Sequence, residues 1–179
     1  MDKRIAVKDH GEELSFTWEN LYSYCGQTQI IATAIMFRLF RRAFADLVPA
    51  GVPDREGISL LVGFPGVGLG ECAELVTRVR SRHPERYTVD PSAAPEEAPR
   101  AGTGFMYFEV TYGGRTLGYY PPQELFNDTF RYNVKTFQGE NEITDREYEE
   151  YLAFKRDLAQ KILDYPDDKL FTIREVLRT

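Results

Sequence analysis

Histidine, cysteine and tryptophan are scarce in this chain, with two, two and one residues respectively. His10 and His83 stand among charged neighbours, where an exposed imidazole is the default. Cys25 and Cys72 form neither a disulfide framework nor a zinc-finger spacing, so a reducing cytoplasm is the simple expectation. No run of about 18 apolar residues occurs, and no segment is expected to span a membrane. The opening "MDKRIAVKDHGEELSF" lacks the apolar centre of a signal peptide. A basic block is also missing. With a net charge of −6 the chain would repel a phosphate backbone, so nucleic acid is not an expected partner. Arg38, Arg41 and Arg42 recur at helical spacing and are expected on a solvated helix face.

What is present suits one α+β domain over residues 1–179, rich in aromatics with 12 Phe and 11 Tyr. After a lead-in over residues 1–15, a helix is predicted from Phe16 to Leu47, capped by Ser15 and ended by Pro49 and Gly51. Gly26 is awkward inside it and predicts a break near Tyr24–Gln27. "GISLLVGF" (57–64) reads as a buried strand, "ECAELVTRVRSR" as a helix and "RYTVD" (86–90) as a second strand. Residues 91–103, rich in proline and alanine, read as a mobile surface loop. "FMYFEVTYGGRTLGYY" predicts a hairpin turning at Gly113–Gly114. The aromatic-rich "PPQELFNDTFRYNVKTFQ" reads as irregular chain. In the C-terminal helical segment, 144–179, Thr144 and Glu147 form a capping box, with Ile143 placed to staple onto Tyr148. Tyr148, Tyr151, Leu152, Leu158 and Ile162 mark a buried stripe, and "TIRE" repeats the capping pattern for a final short turn. Helix, strand, helix, strand, hairpin and helix make an α+β order with three or four sheet strands.

Two constellations carry chemistry. Cys25, Gln27 and Gln29 occupy alternate positions at the mouth of an apolar helix, beside Tyr24. On extended chain all three share a side; on a helix Cys25 and Gln29 still share a face. Cys25 reads either as a nucleophile activated at a helix N-terminus or as a small buried thiol. Glutamines are poor metal ligands, so Cys25 alone offers at most weak metal binding. The second constellation is "GFPGVGLGECAEL". Gly66, Gly68 and Gly70 could bring bare backbone to a nucleotide or S-adenosylmethionine, with Asp90, about 20 residues on, as the ribose-binding acid. The other reading is a tight turn with close helix–strand packing. Glu71 and Glu74 complement the dipole of the helix they open, and would serve a site only if turned inward.

Together these pieces resemble proteins related to the E component of formylmethanofuran dehydrogenase. Those carry F-H-G-H-x-C-P-G at the mouth of a long apolar helix, then a strand, a turn, a helix containing D-A-I-Q-x-x-T, and an ending near L-F-x-[IV]-x-E-V. "YCGQTQII" (24–31), "ECAELVT" (71–77) and "KLFTIREV" (169–176) occupy the matching places. The resemblance covers Trp18 to Leu177, with Gly26, Thr77 and the ending as its close matches. It sets Cys25 and Gln27 in place of the two histidines, Gln29 in place of the cysteine and Ile30 in place of the proline. Glu71 replaces the aspartate and Glu74 the glutamine. It implies an α-β-α-β₃ arrangement, a homodimer and a bound divalent metal, commonly zinc, whose site here is lost or rebuilt with weaker ligands. The expected function is a small-ligand or weak-metal pocket lined by Tyr24, Cys25, Gln27, Gln29, Glu71 and Glu74. Two alternatives stand beside it: a nucleotide- or methyl-donor-dependent enzyme using the glycine-rich turn, and a non-catalytic interaction protein whose aromatic segment 119–137 meets a protein partner.

Overall fold

A computed structural model describes residues 4–137 and 142–177. The apolar run from Ile30 needs cover on several sides, and the fold supplies it. Helix α1 (Trp18–Cys25) ends at Gly26, whose φ of 78° reverses the chain at a point where a helical residue would simply have continued. One 3₁₀ turn over Gln27–Gln29 follows, and α2 (Ile30–Leu47) then runs through the centre of the molecule. Ala34, Ile35, Met36, Leu39, Phe40 and Ala43 on α2 have no solvent exposure.

Around α2 lie a hairpin of β1 (Ile5–Asp9) and β2 (Glu12–Phe16), and a mixed sheet. The sheet strands are β3 (Ser59–Val62), β4 (Tyr87–Val89), β7 (Phe108–Tyr112), β8 (Arg115–Tyr120) and β9 (Thr172–Glu175). Their spatial order is β4-β3-β7-β8-β9. Within this sheet β3 and β4 pair parallel and the other described pairs antiparallel; α3 (Val67–Thr77) and the short α4 (Val79–Arg82) join β3 to β4 as a βαβ unit. The two-residue strands β5 (Arg100–Ala101) and β6 (Gly104–Phe105) pair with each other. Next come α5 (Asp128–Phe137) and α6 (Asp145–Asp164), the latter packed along α2.

Several expectations hold. The architecture is α+β; Gly113 and Gly114, at φ 59° and 79°, turn the β7–β8 hairpin; and Thr144 and Glu147 cap α6 reciprocally. Others need correction. The expected lead-in is largely the β1–β2 hairpin, so Thr17, not Ser15, caps the first helix, its N–H donating to Asn20 Oδ1 at 2.8 Å. The second helix starts at Val67, four residues before Glu71. Residues 91–103 are a surface segment anchored in part on the sheet: Asp90 caps a turn over Pro91–Ala93, Ala98 is buried against Leu61 and Tyr107, and Pro99 C=O accepts from Met106 N–H. The aromatic segment contains α5, capped by Asn127 Oδ1 accepting from Phe130 N–H. Tyr119, Phe126 and Phe130 of that segment fill this chain's own core. Tyr148 is exposed, whereas Tyr151, Leu152, Leu158 and Ile162 are buried as the stripe requires. "TIRE" is not a helical turn but β9, because β8 otherwise has an open edge and main-chain pairing satisfies it. Arg38 is buried, not solvated. Its guanidinium donates to the carbonyls of Ile162, Leu163 and Tyr165 at the end of α6 and to Asp167.

Candidate functional site

The strand-to-helix bend after β3 meets the mouth of α2. Gln29 ends the 3₁₀ turn, and its side-chain Oε1 accepts from the N–H of Gly68 at 3.2 Å. The amide thus caps α3 from another element, satisfying one of the donors that a helix start leaves open. Gly68 is glycine because the two helices touch there: a Cβ would lie 2.7 Å from both Ala32 Cβ and Gln29 Oε1.

Beside this junction is a cavity of about 420 Å³. Gln29, Gly66, Val67 and Gly68 form one rim, while Phe64, Leu69, Met106, Phe130, Val134 and Tyr151 supply apolar walls. Lys155 closes it from α6 and is only 5% exposed. Its Nζ donates to Thr28 C=O at 2.5 Å and stands 4.6 Å from the Tyr151 ring centroid. Burial lowers the pKa of this ammonium, and among the described residues no carboxylate pairs with it. A chamber with apolar side chains on its walls, a nearly equal share of polar lining, a buried cation and an amide rim can take an anionic group attached to an apolar body.

Of the residues expected at the site, Gln29 joins Gly66 and Gly68 on the cavity, and the others lie elsewhere. Tyr24, in the last turn of α1, and Gln27, just past Gly26, both face solvent. Cys25 points instead at Cys72, with the sulfurs 3.6 Å apart. The hydrogen bond with Cys25 and burial both raise the Cys72 pKa well above the ordinary thiol range. Glu71 Oε2 is buried with no hydrogen-bond partner among the described residues, away from the cavity lining. Glu74 turns to the far end of its helix, where Oε2 accepts from the N–H groups of Arg80 and Ser81 and caps α4. Gly70 is not on the cavity; a Cβ there would meet Arg80 Nη1 at 2.9 Å. Gly66 faces the Phe64 ring at 2.6 Å in the same sense, so all three glycines answer to packing. Asp90 Oδ1 accepts from Ser92 N–H and Oγ, holding its own turn.

Lys155 is the cavity residue that the sequence reading does not place at the site. A signal existed: it falls in the stripe of Tyr151, Leu152, Leu158 and Ile162, a cation at a buried helical phase. The meeting of Cys25 and Cys72 had no local signal at all.

Among the described residues, Asp9, His10 and Glu56 are the group of possible metal ligands whose donor atoms come within 4.8 Å of one another. These carboxylates already have cationic partners. Asp9 bonds Arg55 and Arg82, which hold its pKa down at about 2, and Glu56 bonds Arg82 and His83. A dication there would face two guanidinium groups. No helix among the described residues is long and apolar enough to cross a membrane. No protein-family model and no curated protein matches the chain.

Proposed function

We propose that the chain binds a small carboxylate with an apolar or aromatic body in the cavity between α2, the first turn of α3 and α6. The carrying observation is Lys155, a buried ammonium without a carboxylate partner among the described residues. Burying an unpaired cation is costly unless something compensates it, and an anion entering the cavity would do so. The aromatic walls match an apolar body, and the Gln29 carboxamide supplies a polar rim. A nucleotide is less well served. The Gly68 N–H that would hold a phosphate is already given to Gln29.

The resemblance to the formylmethanofuran dehydrogenase component supports a pocket at the mouth of this apolar helix, and we read this chain as a relative in which that pocket takes an organic acid. The zinc that the resemblance implies does not fit the donors. Cys25 and Cys72 are close, but Glu71 does not complete a three-ligand group with them; Gln27 faces solvent, and both histidines lie with Asp9 and Glu56.

Thermal shift with 3-phenylpropionate and octanoate, each against its neutral amide, tests the proposal. The acids should stabilise the chain and the amides should not; at about 100 times the dissociation constant the gain is roughly 2.7 kcal/mol. Lys155→Met should remove it. Equal stabilisation by acid and amide, or by neither, would reject the assignment.

A further inference from the structure

We infer that Cys25 and Cys72 form a dithiol–disulfide couple that reacts with low-molecular-weight disulfides. The two thiols come from different helices, Cys25 as the last residue of α1 and Cys72 from the middle of α3. Their sulfurs stand 3.6 Å apart. A disulfide bond is about 2.05 Å long, so the sulfurs must approach by roughly 1.5 Å. Gly26 follows Cys25 at once, with a φ of 78° and nothing within 4 Å of where a side chain would stand, so no side-chain packing at Gly26 opposes a small shift at the end of α1.

The pair is asymmetric, and this sets the order of events. Cys25 is half-buried and the more exposed of the two, whereas Cys72 is buried. Oxidised glutathione serves as the co-reactant. The Cys25 thiolate attacks one of its sulfurs, the glutathione disulfide breaks, and one glutathione leaves as thiolate and takes up a proton. Cys72 then attacks Cys25 Sγ in the mixed disulfide, and the second glutathione leaves carrying the proton that Cys72 gives up. The protein loses two electrons and two protons, together two hydrogen atoms; one glutathione disulfide becomes two thiols. The bond joins the end of α1 to α3 one turn beyond Gly68, next to the Gln29 junction. Its formation does not depend on the carboxylate reading of the cavity, because the thiols are outside the cavity lining.

The full reduced chain, treated with oxidised glutathione and quenched in acid, is read by intact mass and thiol titration. Wild type should become two hydrogens lighter, lose both titratable thiols and stay a single chain. Its unfolding midpoint should rise by roughly 5–15 °C over the reduced chain. Cys72→Ser should stop as a one-glutathione adduct on Cys25, and Cys25→Ser should remain unmodified while folded. Circular dichroism checks both variants, and the wild-type result stands even if neither folds. Any of four results would overturn the inference: a wild-type chain that halts at the adduct, a disulfide between two chains, folded protein that stays reduced while urea-unfolded chain oxidises, or stoichiometric zinc protecting both thiols.

Discussion

Lys155 concentrates the physics of the site in one side chain. Its ammonium gives up water for one carbonyl and the face of Tyr151, and burial lowers its pKa. Between that depressed native pKa and the unfolded value of about 10.4, the unfolded chain binds more protons, so stability rises with pH in this window. Urea titrations should show the rise in wild type and none in Lys155→Met, which should also be more stable at neutral pH by about 1 kcal/mol. Affinity for the acid probes should fall as pH climbs through the native pKa of Lys155. Asp9 works in the opposite direction. Arg82 and Arg55 hold its pKa down at about 2, so its contribution is complete above the unfolded value near 3.9 and is lost as pH falls towards 2. Asp9→Asn should flatten the acid limb of a stability–pH curve between those two values. Lys155 was legible as a charge in the stripe of α6; the partners of Asp9 come from Arg55 and Arg82, and no local pattern announces them.

At the scale of elements, the junction of α2 with α3 holds the cavity rim in place. Gly68 has an ordinary helical backbone, so a larger residue fails there by collision rather than by strain. Gly68→Ala puts a methyl group 2.7 Å from Ala32 Cβ and Gln29 Oε1, which must push the helices apart. Denaturation should show a loss of about 1–3 kcal/mol, with acid binding weakened in parallel. By contrast, Gln29→Ala leaves Gly68 N–H without its cap and should cost about 1 kcal/mol without overpacking. Elements defined by local chemistry were readable in advance. Thr144 with Glu147 starts α6, and Gly113–Gly114 turns a hairpin, because neighbouring residues complete those interactions. Helix α5 had comparable signals in Asn127 and in Phe130, Val134 and Phe137 at helical spacing, but the dense aromatics around them masked the period.

For the molecule as a whole, buried arginines tie distant chain segments together. Arg55 donates to the carbonyls of Leu75 and Val76 at the end of α3 and to Asp9 of the first hairpin. Arg38 does the same for the end of α6, just before the chain returns to form β9. Removing Arg38 strands several carbonyls at once. Arg38→Met should therefore cost about 2–4 kcal/mol by urea denaturation, and amide exchange at Thr172–Glu175 should quicken. The α+β class, the central apolar helix, the break at Gly26 and the hairpin were all decided by composition, period and turn chemistry, interactions that operate within a few residues. Everything that gives the candidate site its character came from contacts between segments far apart in sequence. Lys155 reaches Thr28, Gln29 caps Gly68, Cys25 meets Cys72, and β9 completes the sheet edge. Such contacts depend on how helices and strands are packed, and a side chain's address in the fold, more than its type, sets whether it faces water, a partner or a cavity.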